Sequence, residues 1–254
     1  MSEPYDFRAQ RLYVVDDLAS GVRLALSREH ANYLINVLRL NDGARLHVFN
    51  GRHGEWRAHV RREGKRAAAL EIQEQIRQQT SGPDLHYVFA PLKRSRLDYM
   101  VQKAVELGSS CLVPVITQHT VAERINLDRM KANVIEAAEQ CGILRIPDVA
   151  QPMALTHLLD GWPGDRRLIF CDEAAPDPDP VRTLRTLPEG PLAVLIGPEG
   201  GFSDGERQRL ANLDFAVRLS LGPRIMRADT AAVAALSLVN AVLGDWRDLG
   251  PRHG

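Results

Sequence analysis

The chain has 254 residues with 32 Lys and Arg against 32 Asp and Glu, and it is 44% hydrophobic, 25% charged and 6% aromatic. These are ordinary globular proportions that exclude a disordered, collagen-like or low-complexity chain, and no run of about 18 apolar residues exists to cross a bilayer. Cys111, Cys141 and Cys171 form no CxxC pair, and the opening residues lack a basic stretch followed by an apolar one, so a cytoplasmic protein with reduced thiols is expected.

In chain order, the first 80 residues read as short strands between turns: RLYVV (11–15), VRLAL (22–26), ARLHVF (44–49), EWRAHV (55–60) and AAALEI (67–72). They are punctuated by Asn41-Asp42-Gly43, Asn50-Gly51 and Glu63-Gly64-Lys65. One helix interrupts them, opened by Ser27 as N-cap, with Ala31, Leu34, Ile35 and Leu38 at helical spacing. Five strands and a helix in this length predict a small β-barrel. The pattern dissolves over Gln73–Asp84, which sets the expected domain boundary at residue 80: domain one is 1–80 and domain two 81–254.

Beyond Pro83, strands and helices alternate. LHYVFA (85–90) precedes a helix over 94–107 stopped by Gly108, and CLVPVIT (111–117) precedes one capped by Asn126 and running to Gln140. RLIFCD (167–172) and PLAVLIG (191–197) are apolar throughout, as parallel strands covered on both faces are. Ser203 and Glu206 form a capping box for the next helix. AVRLSLG (216–222) is the last strand, and an Ala-rich helix over 229–244 closes the pattern. The fold class is therefore α/β, with a mostly parallel sheet and a small β domain before it.

The balanced net charge hides an asymmetry. From Arg23 to Arg66 there are ten Lys and Arg against four acids, while residues 81–254 carry 19 against 22. A basic module joined to a mildly acidic one suggests a grip on a polyanion, although a solvated basic face has the same composition.

Three loops leave the C-terminal ends of apolar strands: Cys171–Ala174, Gly197–Phe202 and Leu221–Arg227. Ligands of open α/β sheets bind there. The glycines of the second loop allow close backbone approach, but neither a P-loop nor GxGxxG is present.

These segments, LIGPEGGFSDGE (195–206) and LSLGPRIMRADTAAVAAL (219–236), together with KRSRLDYMVQKAVELG (93–108), VIEAAEQCGILRIP (134–147) and HANYLINVLRLNDGARLHVFNGRHGEW (30–56), resemble the RsmE family of 16S ribosomal RNA uridine methyltransferases, within the SPOUT superfamily. The resemblance covers nearly the whole chain in order, and GPEGGFS followed by LGPRIMR is a specific pairing. It implies an N-terminal PUA-like barrel that helps grip RNA and a C-terminal SPOUT domain with a trefoil knot. It further implies a homodimer and transfer of a methyl group from S-adenosylmethionine to N3 of one uridine in the decoding region, on the small ribosomal subunit. Two positions depart from the family: Asp229 stands where ETA is common, and Ile143 where relatives often carry Arg.

Carried onto this sequence, the resemblance assigns cofactor binding to Ile196, Gly197, Gly201, Leu219, Leu221, Gly222, Ile225 and Met226. Arg227 is expected to bind or stabilise the uridine, and Glu199 to accept a proton or hold polar groups of the cofactor; as a bland alternative the two simply pair with each other. Asp229 is expected to act as a helix N-cap. Arg11, Arg39, Arg52, Arg57, Lys93 and Arg94 are the basic candidates for RNA. No metal is expected, since the transfer needs none and the eight histidines show no ligand spacing. A non-catalytic RNA-binding protein and a SPOUT enzyme with another RNA target remain the alternatives.

Overall fold

The computed structural model describes residues 9–64, 67–121 and 125–247, with the side chain of Arg94 outside the described residues. Lys65 and Arg66 of the basic stretch fall outside them too. The chain divides into two compact units: residues up to 81 together with 138–146, and residues 82–137 together with 147–250. The expected cut near residue 80 thus misses one return segment.

The first unit contains β1 (Arg11–Tyr13), β2 (Arg23–Ala25), α1 (Arg28–Asn32), β3 (Arg45–Phe49), β4 (Glu55–Arg62) and β5 (Ala68–Arg77). They form one sheet in the order β1-β3-β4-β5-β2, in which β1 and β3 run parallel and the other pairs antiparallel. The edge strands β1 and β2 do not pair with each other among the described residues, so closure of the expected barrel is not by a ladder. The polar stretch after Ile72 is not a linker: β5 continues through it to Arg77 because β4 offers a partner, Glu55 facing Arg77. Ser27 caps α1, its hydroxyl accepting from the N–H of His30 at 3.1 Å. The helix then widens into a π-type turn over Tyr33–Val37. Ala31, Leu34 and Ile35 pack with Leu12, Leu46, Val48, Val60, Leu70 and Ile72 in a core nearly closed to solvent.

A buried polar node ties residues 138–146 into this unit. Glu55 is fully buried and accepts from Arg11 Nε at 2.5 Å and from Arg77 Nη1 at 3.1 Å. The remaining guanidinium donors meet carbonyls: Arg11 reaches Ala138, Glu139 and Ile143, and Arg77 reaches Gly142 at 2.9 Å. Helix-end carbonyls that lack an intrahelical partner are satisfied in this way. Gly54 shapes the approach, since a Cβ there, at φ +73°, would lie 2.2 Å from the Arg77 carbonyl oxygen.

The second unit contains β6 (Leu85–Phe89), α2 (Arg94–Glu106), β7 (Cys111–Ile116), α3 (Leu127–Cys141) as far as residue 137, β8 (Asp148–Val149), β9 (Met153–Ala154), α4 (Leu155–Asp160), β10 (Arg167–Cys171), α5 (Pro180–Arg185), β11 (Leu192–Ile196), α6 (Asp204–Ala211), β12 (Ala216–Leu219) and α7 (Ala228–Val242). The strand order is β12-β10-β11-β6-β7-β8, with β9 also on β7, and every pairing is parallel. All five residues of β11 are buried, as its continuous apolar run requires of an inner strand. The capping box at Ser203 and Glu206 forms as expected. Sequence reading passed over α4, α5 and the two-residue strands β8 and β9. For α5 a signal existed: Asp179 caps it through the N–H groups of Val181 and Arg182, and Pro180 occupies its first position. The first residue before α7 is Arg227, so Asp229 lies inside the helix rather than at its cap, and its Oδ1 accepts from the N–H of Thr230.

Candidate active site

Strands β10, β11 and β12 are neighbours in the sheet, so the loops at their C-terminal ends converge. Together they line a cleft of about 470 Å³, within the range usual for small-molecule sites. Ile196, Gly197, Gly201, Leu221, Gly222, Ile225 and Met226 all line it, as do Glu199 and Arg227. Leu219 does not: it is fully buried within β12, opposite Cys171 of β10, and its contribution is core packing. Ile225 is 92% exposed, an apolar side chain at the rim with nothing covering it.

Two of the three loops are held by specific devices. In the second, a Cβ on Gly197 would sit 3.1 Å from the Phe202 ring, and one on Gly200 would sit 3.3 Å from His119. The imidazole Nδ1 of His119 lies 3.1 Å from the Gly201 carbonyl and 3.2 Å from that of Gly200, pinning the turn from the end of β7. The first loop is pinned by Asp172, whose side chain is 1% exposed. It accepts from Arg218 at 2.8 Å, faces Arg207 at 3.3 Å and takes the N–H of Ala174 at 3.1 Å. One buried carboxylate thus joins β10, α6 and β12. Neighbouring Cys171 has its thiol pushed up to about 12 by burial and then by Asp172, which disfavours the thiolate.

The charged rim is arranged differently from the expected pairing. Glu199 lies 3.6 Å from Arg96 of α2, and Arg96 also lies 4.0 Å from Asp229. Arg227 is exposed and makes no ion pair within 4 Å among the described residues. Arg96, His119, Asp172, Arg207 and Arg218 were not singled out from sequence. Asp172 stood in a loop already marked by its position, and Arg96 stood in KRSRLDYM, but nothing local distinguishes either from a surface charge.

The RNA candidates separate by burial. Arg39 is exposed with φ +55°. Arg52 is half-exposed and pairs with Asp17 at 2.8 Å, Arg57 is largely covered and pairs with Glu74, and Lys93 is exposed just before α2. Arg11 is a correction. It is 7% exposed with its donors committed to Glu55 and to carbonyls, so no phosphate can reach it. Among the described residues no group of His, Cys, Asp and Glu could hold a metal, and no helix is long and apolar enough to cross a membrane.

Residues 80–240 match the family model for an RNA methyltransferase domain, and residues 26–73 match that for an RNA methyltransferase PUA domain. Fold and cleft therefore define the class, an α/β RNA methyltransferase with a PUA accessory domain. Ribosomal RNA small subunit methyltransferase E of Rickettsia conorii is 30% identical over 233 residues, covering 90% of this chain and 94% of the relative. A solved Legionella pneumophila protein, described as a methyltransferase in complex with the cofactor SAM, superposes with TM-score 0.81 at 32% identity, over 94% of this chain and 99% of that one. Ribosomal RNA small subunit methyltransferase E from Neisseria gonorrhoeae, bound to S-adenosylmethionine, gives TM-score 0.84 at 26% identity, over 94% and 100%. The chain belongs to the ribosomal RNA small subunit methyltransferase E family.

Proposed function

We propose that this protein methylates N3 of a uridine in the decoding region of 16S ribosomal RNA, using S-adenosylmethionine and acting on the small ribosomal subunit in the cytoplasm as a homodimer. The observation that carries the reading is the convergence of three strand-end loops on one cleft with an unpaired guanidinium at its edge. The residues fit the cofactor. Ile196, Leu221 and Met226 offer apolar walls for an adenine, and the glycine-lined turn exposes backbone groups where side chains would collide. The charged lining is balanced, with Asp172, Glu173 and Glu199 facing Arg207, Arg224 and Arg227. The trefoil knot belongs to the same reading. Its support is that α7, which follows edge strand β12, packs back against β11 and α2 at the middle of the sheet.

The bound cofactor supplies an activated methyl group; the chain's residues make the acceptor competent. Uracil N3 carries a proton and is a poor nucleophile until that proton leaves, and its loss spreads negative charge over N3 and the two flanking carbonyl oxygens. Arg227 stabilises that charge, and Glu199, on the same cleft, accepts the proton directly or through water. Held in line, the reactants gain much of the rate from position alone. Arg39, Arg52, Arg57, Lys93 and Arg94 contribute phosphate contacts, which orient RNA without reading sequence.

The test incubates small subunits from cells lacking the gene with the purified protein and methyl-labelled S-adenosylmethionine, and maps the label by nuclease digestion and mass spectrometry. A single 3-methyluridine in the decoding region is the expected result. Label on ribose or on another base overturns the assigned target, and cofactor binding with no transfer to any RNA overturns the catalytic role.

A further inference from the structure

Arg96 stands in the first turn of α2, a 13-residue helix anchored by buried Met100, Val101, Ala104 and Val105. Its guanidinium lies 3.6 Å from Glu199 Oε1 and 4.0 Å from Asp229 Oδ2. These carboxylates come from different segments, the loop after β11 and the first turn of α7. Both distances exceed a direct hydrogen bond, so the bridge acts through charge. All three side chains keep solvent contact, at 38%, 41% and 20% exposure for Arg96, Glu199 and Asp229. Such a bridge fixes where two carboxylates point without burying them.

The consequence falls on Arg227. It lines the cleft together with Glu199 and is two residues from Asp229 in sequence. Without another cation, either carboxylate is an available partner for it, and a guanidinium engaged by a carboxylate is no longer an empty donor fork for a developing oxyanion. We propose that Arg96 is a positioning residue of the methyl-transfer site: by engaging Glu199 and Asp229 from a rigid helix, it keeps Arg227 unpaired for the uridine. The inference rests on the reading of the cleft given above and assigns Arg96 no contact with substrate or cofactor.

Two readouts test it on the full-length protein. The first is modification of Arg227 by phenylglyoxal, followed by mass spectrometry, in wild type, Arg96→Gln, Arg96→Lys and the double variant Arg96→Gln/Asp229→Asn. Arg227 should react readily in wild type, several-fold more slowly in Arg96→Gln, at nearly the wild-type rate in Arg96→Lys, and faster again in the double variant than in Arg96→Gln. The second is kinetic: Arg96→Gln should lower kcat by on the order of 10²-fold, the scale of a misplaced reacting group, with the KM for S-adenosylmethionine little changed and Arg96→Lys restoring most of the rate. Unchanged Arg227 reactivity in Arg96→Gln, or equal kinetic loss in Gln and Lys variants of matched thermal stability, overturns the proposal. If wild-type protein methylates no uridine, the functional reading falls separately, and the modification pattern still decides what Arg96 does.

Discussion

Each unit holds a cluster of arginine and glutamate or aspartate, and the two clusters are opposites. In the first, Glu55 is fully buried, Arg11 is 7% exposed, and the contacts are short and directed, with leftover donors spent on helix-end carbonyls. In the second, Arg96 faces Glu199 and Asp229 at 3.6 and 4.0 Å with water access throughout, and Arg227, on the same cleft as Glu199, makes no ion pair within 4 Å among the described residues. A buried charge left without its partner is strongly destabilising. Charges at a substrate site must instead be left partly uncompensated, because the substrate completes them. In these two clusters, tight pairing goes with burial and a structural role, and looser pairing with a place on the cleft.

Breaking the tight cluster should give the largest effect. Glu55→Ala leaves the Arg11 guanidinium buried without its carboxylate, and breaking a buried pair from one side costs about 3–5 kcal/mol; thermal unfolding should show a large loss for the first unit. Arg227→Ala should do the reverse, lowering kcat by about 10²–10³-fold, the range for removing one charge-stabilising donor, while thermal stability stays within about 0.5 kcal/mol, as for exposed side chains without partners. Gly197→Ala sharpens the contrast between loop shape and charge. Its new methyl would meet the Phe202 ring at 3.1 Å, and overpacking of about 1–2 kcal/mol should weaken S-adenosylmethionine binding on the order of tenfold by calorimetry. The smallest effect belongs to single RNA contacts. Arg39→Gln should flatten the dependence of log affinity on log salt by about 0.7–0.9, whereas Arg11→Gln should leave that slope unchanged and lower stability instead.

Legibility from sequence tracked the range of the interaction. Elements fixed by local chemistry were readable: the capping box at Ser203, the cap at Ser27, the stop at Gly108 and the apolar runs of β10 and β11. The three loops could be marked because each leaves the end of an apolar strand, and two of them carry glycine. Their joining into one cleft was not readable, since that depends on β10, β11 and β12 lying side by side, which is a property of strand order. Nor could Arg11 be told from Arg39, two arginines of the first 80 residues.

By itself, the sequence determined the α/β class, the order of elements, the basic first region, the glycine-bearing loops and the family they resemble. All of these rest on neighbours within a few turns or on motifs carried whole. Only the tertiary structure decided that residues 138–146 join the first unit, that Glu199 faces Arg96 rather than Arg227, and that Arg11 is sealed against phosphate. Burial and charge pairing are set by residues tens to more than a hundred positions away, as Arg11 and Ile143 show, and no local pattern carries that information.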